Sequence, residues 1–292
     1  MTIPADVRSA LEGALGQAIT DAQPVHGGDI NQAARVTLRG GDALLLKWKR
    51  GADADFFLAE AHGLRLLAGA EAIRVPGVLA VGSEPPFLAL EWIDQERAGA
   101  SGERMAERLG RGLAALHRCT SEMHGLDRDN YIGALPQPNT PSTSWTAFYR
   151  ERRIGAQMEI ARREGMLPRA REAALVRLQN RLDTLLDDAA MPPSLLHGDL
   201  WGGNYMVAAG GEPVLIDPAA YYGHREVDLA MTQLFGGFPA RFYAAYHEAY
   251  PLDPGYDERR ALYQLYYVLV HMNLFGGGYA GQVDSIVRRY VG

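Results

Sequence analysis

Apolar residues recur at helical spacing from the start of the chain. Val7, Ala10, Leu11, Ala14 and Leu15 predict a short amphipathic helix over residues 3–16. The period then changes. Two strands flank a Gly-rich turn, His26-Gly27-Gly28-Asp29-Ile30-Asn31, the second running over 34–38, and Gly40-Gly41-Asp42 turns the chain into a third strand over 43–48. Residues 53–68 predict a helix, 75–81 lead into Gly82 and Pro85-Pro86, and 87–93 form a further strand. From about residue 101 the spacing is mostly helical, over 103–118, 145–164, 168–188 and from Pro239 to Tyr290, with an ordered Gly- and Pro-punctuated loop at 125–144. One compact stretch interrupts it: LLHGDLWGGNYMV, a turn at Gly210-Gly211, then PVLIDPAAYYGHREVDLA, read as short strands with polar loops. A β-rich part of about 95 residues thus precedes a larger α-rich part, an α+β organisation without internal repeats.

Composition narrows the classes. A length of 292 residues suits one large domain or two lobes that share a cleft. A net charge of −6 argues against a general nucleic-acid binder, since affinity for phosphate backbones needs concentrated basic charge. Cys119 is the only cysteine, which excludes an intramolecular disulfide and a thiolate-rich zinc site. No secretory pattern opens the chain and no run of about 18 uncharged apolar residues exists. The expectation is a cytoplasmic protein with no membrane span.

The sharpest polar feature is His197-Gly198-Asp199-Leu200-Trp201-Gly202-Gly203-Asn204. An Asp followed five residues later by Asn, then by a short strand ending in Asp217, is a phosphoryl-transfer layout. One carboxylate must orient the attacking hydroxyl and accept its proton. An amide and a second carboxylate can hold Mg²⁺, a hard cation whose shell phosphate and water complete. In the β-rich part, the Gly27-Gly28 turn and Asn31 can fold over phosphates, Lys47 can pair with them, and Glu60 on the next helix can orient Lys47. Lys49 and Arg50 compete for the role of Lys47, and strand alternation separates faces without deciding among them.

Other residues have two readings. Trp201 either packs against an acceptor ring or sits in the core, and His224-Arg225-Glu226 either contacts the acceptor or braces the metal loop. Asp228 is expected to support the catalytic loop. His124, His247 and His271 are scattered and make no metal set, and the tyrosines at 243, 246, 250, 263, 266 and 267 suit packing.

From about residue 20 to about 287 the chain resembles the fructosamine kinase (ketosamine-3-kinase) family. The resemblance rests on DNYIGALPQPN at 129–139, on Trp145, Phe148, Glu151, Arg152 and Gln157, on LLHGDLWGGN at 195–204, on IDPAAYYGHREVDLAMTQLFGGFP at 216–239, and on LYQLYYVLVHMNLFGGGY at 262–279. It implies a bilobal protein-kinase-like fold, with a β-rich lobe over 1–93, an α-rich lobe over 94–292 and a nucleotide cleft between them. It implies ATP and Mg²⁺, with Asp199 as base, Asn204 and Asp217 at the metal, Lys47 and Glu60 at the phosphates, and the Glu91 carbonyl and Ile93 amide at the adenine edge.

The implied reaction is phosphorylation of the C3 hydroxyl of a fructosamine or ribulosamine, on a small molecule or on a glycated protein lysine, which leads to deglycation. The alternatives are a related kinase acting on an aminoglycoside, choline or another alcohol, or a kinase-like scaffold without activity. Asp29 stands where eukaryotic members often carry cysteine, so no disulfide-linked dimer through the Gly-rich loop is expected.

Overall fold

The computed structural model describes residues 3–25, 31–96, 102–188 and 191–292. Gly27 and Gly28 of the expected phosphate loop therefore lie outside the described residues, as does Asp29. The N-terminal part is helix α1 (Ala5–Leu15), strands β1 (Ile19–Pro24), β2 (Gln32–Leu38) and β3 (Ala43–Trp48), helix α2 (Phe56–Gly69), and strands β4 (Val78–Ser83) and β5 (Pro86–Glu91). The five strands form one antiparallel sheet in the order β1-β2-β3-β5-β4.

Alternation along these strands sorts side chains between two layers. Val36, Leu44, Leu46, Trp48, Phe87 and Ala89 are buried with Val7 and Leu11 of α1. The opposite face carries Leu88 and Leu90, which join Phe57, Ala61 and Leu64 of α2 in a core that continues into the helical part. Lys47 lies on that second face, opposite Leu88 in the β3–β5 register. The pleat itself thus aims Lys47 at α2.

The α-rich part contains α3 (Gly102–Leu116), the short hairpin β6 (Asn130–Ile132) and β7 (Leu135–Gln137), α4 (Trp145–Phe148), a π-helical segment over Tyr149–Gly155, α5 (Ala156–Arg163) and α6 (Arg169–Leu185). Next come β8 (Ser194–Leu196), β9 (Tyr205–Ala208), β10 (Glu212–Leu215), β11 (Tyr221–Gly223), α7 (Glu226–Thr232), α8 (Ala240–Ala249), α9 (Tyr256–Phe275), a 3₁₀ turn Gly277–Tyr279 and α10 (Ala280–Val291). β9 pairs with β10 and β8 with β11, both antiparallel. Among the described residues no helix is long and apolar enough to cross a membrane.

Three details depart from the sequence-based expectation. The strand expected to reach Ile93 ends at Glu91, where the chain leaves the sheet. The loop over 125–144 contains β6–β7, whose interior is polar: Asn130 Oδ1 accepts from Gln137 and Asn139, and Arg153 donates to Asn139 Oδ1. The run after His224, read as a polar loop, is helix α7, with Glu226 and Asp228 in its first turn, where carboxylates meet the positive end of the helix dipole.

Candidate active site

The site is assembled around two short antiparallel strand pairs, β8–β11 and the β9–β10 hairpin that it encloses in sequence. β8 delivers the chain to His197, and Gly198 adopts φ +84°. A Cβ at Gly198 would fall 2.1 Å from the Ala219 carbonyl oxygen, so this turn requires glycine. Asp228 of α7 holds the turn from below, accepting from the His197 amide (2.8 Å), the Gly198 amide (2.9 Å) and His117 Nε2 (3.2 Å). From the other side the Tyr267 hydroxyl donates to the Gly198 carbonyl at 2.9 Å. His197 Nε2–H donates to the Ile216 carbonyl (2.9 Å), which leaves Nδ1 to accept from the Asp199 amide (3.3 Å). Burial pulls both His197 and His117 below the ordinary imidazole pKa, so each acts as a neutral bridge.

Asp199 emerges from this frame. Asn204 Nδ2 donates to its backbone carbonyl (2.8 Å) and to its Oδ2 (3.0 Å). Burial raises its pKa to about 7; the Asn204 bond opposes the rise, and the carboxylates of Asp217 and Asp228 add to it.

From Asn204 the chain runs through β9 and β10 to Asp217, and the Ile216 amide closes back on the Asn204 carbonyl at 3.0 Å. One hairpin thus carries Asn204 at its start and Asp217 at its end. Asp217 has φ +54°, a left-handed conformation that costs a non-glycine residue energy and is characteristic of working sites. Its Oδ1 binds Lys47, whose Nζ also donates to Glu60 Oε1 at 2.7 Å. Burial works against the Lys47 charge, but Asp217 and Glu60 outweigh it and raise its pKa. Burial raises Glu60 too, with Lys47 opposing. Lys49 lies instead over the Phe56 ring, 4.9 Å from its centroid, and Arg50 is exposed, so of the three competitors Lys47 is the one that meets Glu60 and Asp217.

The connection after β5 borders this cleft. Ile93 is buried with Ala208 and Val214, and Met206 and Ile216 pack against them, giving an apolar patch beside the polar set. Arg74 fastens Glu91 to Glu212 of β10, at 2.6 Å on each side. Asn31 Oδ1 is buried and has no hydrogen-bond partner among the described residues. Trp201 is 41% exposed, which excludes the core alternative, and its ring covers Gly203, where a Cβ would come within 2.4 Å of it. A cavity of about 440 Å³ lined by Glu71, Arg74, Arg108 and Glu212 includes none of the catalytic set.

Of the two readings of His224, Arg225 and Glu226, burial and protein partners favour the brace. These residues are 1%, 4% and 0% exposed. His224 Nδ1 meets the Tyr263 hydroxyl at 3.2 Å. Arg225 donates to the carbonyls of Tyr250 and Pro251 and stacks on Tyr250, and Glu226 takes a bidentate pair from Arg259 at 2.6 and 2.8 Å. His117 and Arg74 were not singled out in the sequence, and Tyr267 was assigned to packing alone, because each acts through a partner distant along the chain.

As to metal, no group of three or more His, Cys, Asp or Glu side chains among the described residues is placed to hold an ion by itself. Asn204 and Asp217 offer two oxygen donors, and neither Asn204 Oδ1 nor Asp217 Oδ2 bonds a described residue. That sparse, hard set fits a Mg²⁺ that relies on phosphate and water for its remaining ligands.

Comparison with known proteins decides the class. The family model for fructosamine kinase matches residues 4–292. The chain belongs to the fructosamine kinase family. It is 43% identical over 275 residues to a Synechocystis protein named as a ketoamine kinase, covering 93% of this chain and 90% of that one. It is 39% identical over 278 residues to the chloroplastic protein-ribulosamine 3-kinase of Arabidopsis thaliana, covering 94% and 83%. A solved Thermobifida fusca protein described as a candidate fructosamine-3-kinase superposes with TM-score 0.87 at 36% identity, over 97% of this chain and 98% of that one. The gentamicin complex of APH(2")-IIa, at 14% identity and TM-score 0.64, shows the shared protein-kinase-like fold. This fructosamine kinase homologue is an ATP-dependent phosphotransferase of α+β, kinase-like architecture.

Proposed function

We propose that the chain phosphorylates a sugar hydroxyl of ketosamines, with ATP as donor and Mg²⁺ as the metal. The observation that carries this reading is the convergence of Asp199, Asn204, Asp217, Lys47 and Glu60 in one cleft, with carboxylate and amide oxygens left unpaired. Asp199 orients the acceptor hydroxyl and receives its proton. Its position, fixed by Asn204, Asp228 and Tyr267, removes the cost of aligning the nucleophile. Lys47, steadied by Glu60, neutralises negative charge on the phosphates. Asn204 Oδ1 and Asp217 would hold Mg²⁺, which when bound would screen the charge of the triphosphate.

Ile93 and its apolar neighbours suit the adenine, with the Glu91 carbonyl and Ile93 amide on its edge. Asn31, Gly27 and Gly28 belong to the loop over the phosphates. Trp201, two residues beyond the base and open to solvent, offers a face to the sugar ring. The end of β5 at Glu91 and the packing of Ile93 against Ala208 and Val214 support a lobe boundary at residue 93. The reaction belongs in the cytoplasm, where ATP is supplied.

The test is turnover of fructosyl-lysine with ATP and Mg²⁺, read as ADP release and as a phosphorylated sugar by ³¹P NMR, with gentamicin and choline as parallel acceptors. Turnover of fructosyl-lysine alone supports the reading. Turnover only of another alcohol, or none, overturns it.

A further inference from the structure

Beyond the catalytic set, the C-terminal half holds a cluster of rings at the edge of the core that the phosphate chemistry does not use. His271 on α9 has three aromatic neighbours: Phe235 at 4.5 Å between centroids, Tyr279 at 5.2 Å and Phe275 at 5.5 Å. Phe275 is 54% exposed, the most open large apolar residue among those described. Glycines border the cluster on both sides. Gly236 and Gly237 follow Phe235 with φ +87° and +74°, and Gly276 to Gly278 separate Phe275 from Tyr279. A Cβ at Gly236, Gly276, Gly277 or Gly278 would meet nothing within 4 Å, so the rim opens onto free space.

The imidazole at the centre has a fixed orientation. Its Nδ1 lies 2.8 Å from the Tyr267 carbonyl, an acceptor only, so Nδ1 carries the proton. Nε2 is therefore a lone-pair acceptor, and no described residue donates to it. Burial lowers the His271 pKa, with the Tyr267 carbonyl opposing, so the ring is uncharged at neutral pH and repels no cation. Tyr267 is also the residue whose hydroxyl supports Gly198. His271 lies one helical turn farther along α9, about 6 Å along the axis.

We infer that Phe235, His271, Phe275 and Tyr279 form the subsite for the amine half of the acceptor, an alkylammonium joined to the sugar. This rests on the ketosamine reading and adds the group that tells a ketosamine from a plain sugar. A secondary ammonium has N–H to donate to Nε2, and aromatic faces attract both its charge and its flanking methylenes. The open rim leaves room for the rest of an amino acid or peptide.

The experiment compares kcat/KM for fructosyl-lysine with that for 1-deoxyfructose, which keeps the ring and lacks the amine, in wild type, His271→Phe and Phe275→Ala. His271→Phe keeps the ring and removes the acceptor. Phe275 is exposed, so Phe275→Ala tests the cage without disturbing the core. In each variant the preference for the amine-bearing acceptor should fall about tenfold, through a higher KM for fructosyl-lysine, the scale of one hydrogen bond to a charged group or one cation–π contact. A second readout is competitive inhibition of wild type by n-propylammonium, weakened in both variants. Wild type that turns over fructosyl-lysine with no preference for the amine, or variants that keep that preference, overturns the subsite alone. Wild type inert toward fructosyl-lysine overturns the ketosamine reading itself.

Discussion

Two clusters of charge lie within a few residues of each other in sequence and have opposite characters. In the first, Asp199, Asn204 and Asp217 sit at the ends of a hairpin and keep oxygens that no described residue satisfies, and Asp217 is held in a strained conformation. In the second, His224, Arg225, Glu226 and Asp228 are almost fully buried, and each is engaged by protein partners: Tyr263, the carbonyls after α8, Arg259, and the catalytic turn with His117. The second is the denser run of charge along the chain. What distinguishes them is spare hydrogen-bonding capacity facing the cleft. A buried charge with every bond made stabilises geometry, whereas one with bonds left open waits for a ligand.

Mutations sharpen this contrast, beginning with the largest effect. Asp199→Asn keeps shape and removes the proton acceptor, so kcat should fall about 10²–10⁴-fold with little change in ATP affinity, read by steady-state kinetics and an ATP titration. Glu226→Ala should do the reverse. Removing the buried Glu226 carboxylate strips the partly exposed Arg259 of its bidentate partner, which should cost about 1.5–3 kcal/mol, measured by denaturant unfolding, while turnover per folded molecule stays within a few-fold. Were Glu226→Ala to lose activity at full stability, the brace would be a site after all. Lys47→Met should cut turnover at least tenfold by removing charge from the phosphates; near-normal kinetics would move that role to another cation.

A smaller effect follows from pH. The Asp199 pKa lies above its ordinary value, at about 7, so its contribution to stability is complete below about pH 4 and is lost as pH rises through 7. The melting temperature of Asp199→Asn should therefore gain on wild type between pH 4 and 8, while wild-type turnover, which needs the ionised form, falls below about pH 7. A difference in melting temperature that stays flat across this range would remove the buried charge from the account. Smallest of all, Arg74→Met releases Glu91 from Glu212. Because that clasp is half-exposed, the KM for ATP should rise no more than about threefold and less at high salt.

Much of this was legible from local pattern. The two-residue period of β3 put Lys47 on one face and Trp48 on the other, and the helical period of residues 53–68 put Glu60 within reach. The Asp199–Asn204–Asp217 spacing implied one compact hairpin unit. Alternation could not separate Lys47 from Lys49, since both share parity; the folded contacts do so, with Lys47 on Glu60 and Asp217 and Lys49 over the Phe56 ring. The π-helical segment at Tyr149–Gly155 and the polar interior of β6–β7 escaped because neither has a hydrophobic period. The role of His224-Arg225-Glu226 stayed open for a different reason. Its partners, Arg259, Tyr263 and Tyr250, are 25 or more residues away, and a side chain's satisfaction is a property of the folded chain.

Helix α9 also bears on how the enzyme is made. Tyr263, Tyr266 and Tyr267 reach from it to His224, to Gln137 and to Gly198, so a late segment holds three earlier ones by their polar groups. During synthesis the HGD turn leaves the ribosome well before the phenol that fixes its carbonyl. A nascent chain therefore has its HGD turn but lacks that turn's final support until α9 docks, and activity should arrive in one step as α9 folds onto the segments made before it.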